Sequence, residues 1–157
     1  MAVSPPIGNK LAACARPVFA SRAMRFAAYL GLCAAYLQGG LVKLQDFPGA
    51  VAEMAHAGLA PAPVFAALVI LLELGASAMT LAGRWRWLGA IALSGFTLLA
   101  TLLALRFWEL PPGQERFMAA NAFFEHLGLA GGFLLVAWLD LTERQPTERQ
   151  TTEHRQP

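Results

Sequence analysis

Residues 64–81 read VFAALVILLELGASAMTL, a continuous apolar stretch of 18 residues that contains one charged side chain, Glu73. A helix needs roughly 17–25 such residues to cross the hydrocarbon core of a bilayer. Three similar stretches occur at residues 26–42, 87–105 and 119–139. Because they are continuous and rich in Leu and Ala rather than alternating with period two, they favour helices over strands. The sequence therefore predicts four membrane-spanning helices.

The composition indicates the same class of protein. The 157-residue chain is 57% hydrophobic and 14% charged, whereas soluble domains carry about 25% charged residues. This excludes a soluble globular or disordered protein, and the net charge of +2 gives no reason to expect nucleic acid as a partner. Cys14 and Cys33 lie 19 positions apart without metal-like or C-x-x-C spacing, so neither a metal site nor a dithiol relay is predicted. The expected fold is an all-α membrane protein, a four transmembrane helix bundle in the lipid bilayer.

The basic residues predict an orientation. Nine of the twelve lie before span one, between spans two and three, or after span four, which by the positive-inside rule places both termini in the cytoplasm. We expect a cytoplasmic N-terminal tail at residues 1–23, the four-helix membrane domain at 24–140, and a disordered cytoplasmic tail at 141–157, which repeats Thr-Glu-Arg-Gln.

The first outer loop carries signals for a short helix. Asp46-Phe47-Pro48 is typical of a helix start, and Gly58 is typical of a position just past a helix end. Phe47, Val51 and Met54 would share one face of this helix. We therefore expect a short surface helix that lies on the outer side of the membrane.

Glu73 lies near the middle of span two, where an acidic side chain costs about 2.5–3.5 kcal/mol on insertion scales. It is therefore expected to face protein or water rather than lipid. The residues on its helical face are mostly small or polar, as buried helix interfaces require: Ala66, Ile70, Ala76, Ser77 and Thr80. Two interpretations stay open, namely a specific role as proton carrier, ligand contact or cation partner, and a structural hydrogen bond to a neighbouring helix.

Span four carries a second polar stripe. Asn121, Glu125, Gly128 and Gly132 share one helical face, and the two glycines predict close helix packing. His126 follows Glu125 and is interpreted as a hydrogen-bonded interfacial histidine. The alternatives for it are a proton shuttle and a haem ligand, for which the second axial ligand would have to be His56 in the outer loop.

The candidate pocket residues lie in or beside all four spans, and their charges nearly cancel. Each intramembrane charge needs a partner, which predicts convergence on a shared polar pocket that opens outward. For Lys43 and Arg106 the alternative is snorkelling to the interface. The candidates are Glu73, Lys43, Glu125, His126, Arg106, Gln38 and Asn121.

The order and spacing of several short motifs resemble DoxX-type membrane proteins over about residues 24–140. The motifs are Gly40-Leu41-Val42-Lys43-Leu44, Asp46-Phe47, Gly58-Leu59-Ala60-Pro61, Leu72-Glu73-Leu74-Gly75, Gly83-Arg84 and Phe123-Phe124-Glu125-His126-Leu127-Gly128. The resemblance implies a four-helix protein of the bacterial inner membrane with both ends cytoplasmic. By this resemblance, the lysine that the family has after span one corresponds to Lys43, and the acidic residue in its span two corresponds to Glu73. In many relatives the positions of Glu125 and His126 hold a lysine and an asparagine, so this chain departs from the family there.

Family members are linked to quinone-coupled or thiol-coupled redox systems, often beside a soluble oxidoreductase. The leading hypothesis is therefore a small redox-associated membrane subunit, with a quinone as the candidate ligand near Glu73 and no cofactor established. Its expected partners are a soluble oxidoreductase or another membrane subunit, with a homo-oligomer as a further expectation. The alternative is a non-catalytic scaffold or assembly factor whose buried charges are structural. A small transporter would require an inverted repeat, which is not evident, or dimerisation.

Overall fold

The computed structural model describes the backbone of residues 7–153 and the side chains of residues 13–143. Over this range the regular elements are all helical. They are α1 (Ile7–Phe19), α2 (Arg22–Gln45), α3 (Phe47–His56), α4 (Ala62–Ala82), α5 (Arg86–Ala104), a 3₁₀ turn (Phe107–Glu109) and α6 (Gln114–Glu153).

Four segments are long and apolar enough to cross a membrane: Arg22–Gln45, Ala62–Ala82, Arg86–Glu109 and Gln114–Glu143. Each of the four predicted spans lies inside one of them, so the predicted all-α, four-span architecture is confirmed. The chain is a multi-pass membrane protein. α4 packs between α2 and α5, and α5 packs against α6.

The core of the bundle draws residues from all four spanning helices. The ring of Tyr36 on α2 meets those of Phe133 on α6 and Phe96 on α5 edge to face, with centroids 5.5 and 6.4 Å apart, a favourable geometry for aromatic pairs. The buried members of this cluster are Cys33, Tyr36, Ala76, Ala90, Leu93, Phe133, Val136 and Ala137.

The turn between α4 and α5 is short because Gly83 adopts a left-handed conformation at the end of α4, with φ of +78°. The two helices then run close together. A Cβ atom at Gly89 would lie only 2.6 Å from the backbone oxygen of Ala76, so this glycine is required for the close approach. The α4–α5 pair is therefore the closest approach between two spanning helices that a glycine permits here.

The predicted short helix is present as α3. The Asp46 carboxylate accepts a hydrogen bond from the Gly49 amide at 3.0 Å, and Pro48 lies in the first turn, as the sequence signals predict. Part of its apolar face packs against protein: Met54 is 7% exposed and packs with Val51 against the α4 side chains around Ala66. The short link to α4 folds α3 back onto that helix, whereas Phe47 on the same predicted face is 40% exposed. The position of this helix on the outer membrane surface stays a prediction.

Helix extends into both predicted tails. α1 lies within the predicted N-terminal tail, and α6 continues to Glu153, into the segment from residue 141 for which the sequence predicts disorder. Glu, Arg and Gln are good helix formers, so the Thr-Glu-Arg-Gln repeats extend a helix that packing has already started. Arg25 also contacts Glu143, with Nη1 3.6 Å from Oε2. The predicted tail residues 1–6 and 154–157 lie outside the described part of the chain.

Candidate functional site

A buried ion pair joins the last turn of α2 to the middle of α4. Lys43 Nζ lies 3.3 Å from Oε1 and 3.4 Å from Oε2 of Glu73. Glu73 is 5% exposed, and the side chain of Lys43 is 17% exposed. The predicted burial of the Glu73 face of this helix is confirmed, since its buried residues are Ala66, Ile70, Glu73, Ala76, Ser77 and Thr80. A buried carboxylate requires such a partner, because an unpaired charge in the interior is strongly destabilising.

Two glycines create the space for this pair. At Gly40, a Cβ atom would lie 2.8 Å from Leu74 Cδ2, so the absence of a side chain lets α2 approach α4 closely. A Cβ atom at Gly39 would lie 3.5 Å from Lys43 Nζ and 3.6 Å from Glu73 Oε2. The Gly39-Gly40 pair therefore places the helix backbone directly beside the charged groups.

A cavity of about 440 Å³ adjoins the ion pair, a volume within the range of small-molecule sites. Its wall is mainly apolar and comes from α2 to α6. The polar residues that line it are Tyr36, Lys43, Glu53, Glu73, Thr97 and His126. A largely apolar chamber with a few polar groups is the usual form of a site for a small, mostly apolar ligand.

His126 reaches the cavity from α6 and is held by its own helix. Its Nδ1 lies 2.6 Å from the backbone oxygen of Ala122. A carbonyl oxygen can only accept, so Nδ1 carries the hydrogen of this bond. The predicted hydrogen-bonded histidine is confirmed. His56, the candidate second haem ligand, is exposed on α3 and does not line the cavity. Among residues 13–143, whose side chains the structure describes, there is no cluster of three His, Cys, Asp or Glu side chains able to hold a metal ion.

The structure brings together three of the seven candidate pocket residues, Lys43, Glu73 and His126. Arg106 instead pairs with Glu109, its Nη1 3.5 Å from Oε1, and lines a separate, more polar depression at the end of α5. The remaining candidates are exposed and do not line the cavity: Gln38, Asn121 and Glu125. Consecutive helix positions point about 100° apart, which is why Gln38 and Glu125 lie outside the cavity lining although their neighbours Gly39 and His126 belong to it. His126 is nevertheless exposed.

The predicted glycine packing on α6 occurs at one of its two positions. A Cβ atom at Gly132 would lie 3.3 Å from Leu32 Cδ2 on α2, whereas nothing lies within 4 Å at Gly128. The outer part of the polar stripe on α6 therefore makes no helix contact in the single chain.

Three polar cavity residues, Tyr36, Glu53 and Thr97, are absent from the sequence-based candidates. The hydroxyl of Thr97 donates to the Leu93 carbonyl at 2.6 Å, so the Tyr36 hydroxyl donates to Thr97. Tyr36 lies three and seven positions before Gly39 and Lys43, and that helical spacing could have revealed it. Glu53 had no comparable signal, because its position depends on how α3 folds back over α4.

A second buried ion pair lies at the opposite end of the bundle. Arg86 Nη1 lies 3.7 Å from Oδ1 of Asp140, and the Trp87 amide donates to Oδ2 of the same carboxylate at 3.2 Å. Arg86 also donates through Nε to the Thr80 carbonyl at 2.9 Å, and its guanidinium lies 4.5 Å from the ring centroid of Tyr29. These contacts join the α4–α5 turn to α2 and α6, and none of the charged groups lines the cavity.

A family model described as DoxX matches residues 25–106, which include Lys43, Glu73 and most of the cavity wall. The match covers more than half of the chain and ends before α6, so His126 lies outside it. Comparison with curated proteins and with solved structures finds no match.

Proposed function

The chain belongs to the DoxX family, and from this membership and the cavity beside Glu73 we propose that it is a small membrane subunit that binds a quinone and serves a redox system. The ligand class is a compact, mostly apolar ring that bears oxygen substituents. The proposed setting is the bacterial inner membrane, with both termini in the cytoplasm and α3 on the outer side, in line with the distribution of basic residues.

The observation that carries the proposal is the Lys43–Glu73 pair at the edge of an apolar cavity of about 440 Å³. An ammonium group has three donors, and Glu73 occupies part of that capacity, so Lys43 retains donors for a ligand oxygen. A carboxylate beside it can accept a proton or a hydroxyl hydrogen. Interconversion of a quinone and a quinol moves protons together with electrons, so a donor and a proton acceptor are the groups such a ligand requires.

In this proposal the electrons come from a partner, and the chain itself supplies the ligand site and the groups that handle protons. A soluble oxidoreductase or a second membrane subunit fits that requirement. The proposal therefore assigns the chain ligand binding and proton handling, and assigns electron supply to the partner.

The test is quinone binding by the purified protein in lipid nanodiscs, together with analysis of quinones that co-extract from the membrane. Glu73→Gln keeps the shape but removes the charge that holds the Lys43 ammonium beside the cavity. Because Lys43 is the donor for a quinone oxygen, quinone binding should weaken about tenfold or more, the range for a hydrogen bond to a charged group. Glu125→Gln makes the same chemical change at an exposed position outside the cavity, and should leave the affinity within twofold. Absence of quinone binding to the unmodified protein, or equal binding by a folded Glu73→Gln variant, would refute the proposal.

A scaffold function is the second candidate, and the Arg86–Asp140 pair favours it. That pair joins helices without lining the cavity, so buried ion pairs in this bundle also serve packing. Under the scaffold function, Glu73→Gln and Asp140→Asn would both lower the melting temperature, and no quinone would raise that of the unmodified protein. A quinone-dependent increase in melting temperature that is lost in Glu73→Gln alone would contradict it.

A further inference from the structure

We propose that His126 determines which form of the ligand the cavity prefers, and that it selects a ring bearing hydroxyl groups, such as a quinol, over the corresponding quinone. This inference rests on the proposed function and extends it to the oxidation state of the ligand. The residue lies on α6, outside the part of the chain matched by the family model.

The hydrogen bond within α6 fixes the chemistry of the ring. Since Nδ1 donates to the Ala122 carbonyl at 2.6 Å, the neutral imidazole has its hydrogen on Nδ1 and a lone pair on Nε2. No other hydrogen bond or ion pair holds His126 among the described residues. The ring therefore offers the cavity a hydrogen-bond acceptor.

The other charged groups around the cavity add to this bias. Glu73 from α4 and Glu53 from α3 are acceptors when ionised, and Lys43 from α2 is the donor among the charged groups. The Tyr36 hydroxyl already donates its hydrogen to Thr97, so it is not a free donor for a ligand. The cavity is thus lined by acceptors from α3, α4 and α6 and by one cation, Lys43, which is already paired with Glu73.

A quinone and a quinol meet this arrangement differently. The oxygens of a quinone only accept, so a quinone can bond to Lys43 but brings lone pairs toward Nε2 and leaves that acceptor without a donor. A quinol hydroxyl can donate to Nε2 or to a carboxylate and still accept from Lys43. His126 and Glu53 line the cavity although both are exposed. The quinol therefore gains one hydrogen bond at Nε2 that the quinone cannot make, and this bond is the basis of the expected preference.

The experiment compares three small probes by calorimetry in nanodiscs without oxygen: trimethylhydroquinone, trimethylbenzoquinone and the dimethyl ether of the hydroquinone. The unmodified protein should bind the hydroquinone about five- to tenfold more tightly than either other probe, the effect of one neutral hydrogen bond. His126→Phe should reduce this preference severalfold, and the carboxylates of Glu73 and Glu53 would account for the part that is left. Glu125→Gln, at the adjacent exposed position, should retain it.

A second variant covers the case in which His126→Phe fails to fold. In His126→Asn the amide offers both a donor and an acceptor, so the quinone and the hydroquinone should bind with similar affinity. Equal binding of the two probes to the unmodified protein, or an unchanged preference in either His126 variant, would overturn the role of His126 and leave ring binding intact. Failure of all three probes to bind would overturn both proposals.

Discussion

Glu73 and Lys43 compensate each other's charge at the edge of the cavity. The carboxylate is almost fully buried at mid-helix, and the ammonium 3.3 Å away balances its charge. The net contribution of such a pair is small, because both groups lose hydration when the helices pack. Removing one partner destabilises the protein far more than the intact pair stabilises it, because the other charge is then left unpaired in an apolar wall.

This asymmetry can be measured with a double-mutant cycle. Lys43→Met should lower the free energy of unfolding by about 3 kcal/mol, the lower end of the range for a broken buried pair, since the lysine keeps some exposure. Glu73→Leu in the same chain should recover a large part of that loss. The measurement is denaturant or thermal unfolding in a fixed detergent, and a simple sum of the two single effects in the double variant would contradict an interacting pair.

At the level of helices, small residues decide which pairs of elements touch. Gly40 brings α2 against α4, and Gly89 brings α4 against α5, whereas Gly31 on α2 and Gly95 on α5 have nothing within 4 Å of a Cβ position. Glycines in the same helix thus differ in role, although nothing in their immediate sequence distinguishes them. α4, in contact with α2, α3 and α5, is the element around which the cavity wall is arranged.

Alanine substitution in α5 separates these two kinds of glycine. Gly89→Ala should destabilise the protein by about 1–3 kcal/mol, because the new methyl group meets the Ala76 backbone oxygen, which cannot rotate away. Gly95→Ala should be neutral or stabilise by roughly 0.5–1 kcal/mol, since alanine is the better helix former and the space is open. Melting temperatures of the two variants in one detergent provide the comparison, and equal destabilisation would argue against the close α4–α5 contact.

At the level of the whole molecule, the two buried ion pairs lie at opposite ends of the bundle, and only one of them adjoins the cavity. Lys43–Glu73 adjoins the cavity at the end that carries α3, and Arg86–Asp140 fixes the α4–α5 turn against α6 at the other end. Polar contacts thus hold the helices together at one end, while the other end carries the half-open cavity.

The proposed orientation can be tested with the cysteines already in the chain. Cys14 is exposed and Cys33 is fully buried, so a membrane-impermeant maleimide should react at Cys14 alone. With cytoplasmic termini, labelling should occur in inverted vesicles and not in intact spheroplasts. In a Cys14→Ser background, a cysteine introduced by Gly113→Cys in the open loop before α6 should show the reverse pattern. Labelling of Cys14 in intact spheroplasts would overturn the orientation.

The sequence was sufficient for features that depend on one helix at a time. The four spans follow from apolar length, the α3 boundaries from Asp46, Pro48 and Gly58, and the burial of the Glu73 face from helical period. Features that depend on which helix lies opposite could not be predicted in this way. Asp140 received no role because its partner Arg86 lies more than fifty residues away, and Glu125 and Arg106 were grouped with Glu73 although packing separates them.

The wall of the cavity on α5 has a consequence for how any ligand is supplied. Leu99 and Leu103 line the cavity and are 59% and 45% exposed, so this part of the wall is not covered by other helices. A hydrocarbon tail attached to a ring in this half-open, mainly apolar cavity would therefore extend into the surrounding acyl chains. The concentration that governs occupancy is then the mole fraction of ligand in the bilayer, so apparent affinities should scale with the amount of lipid in the assay rather than with the volume of water.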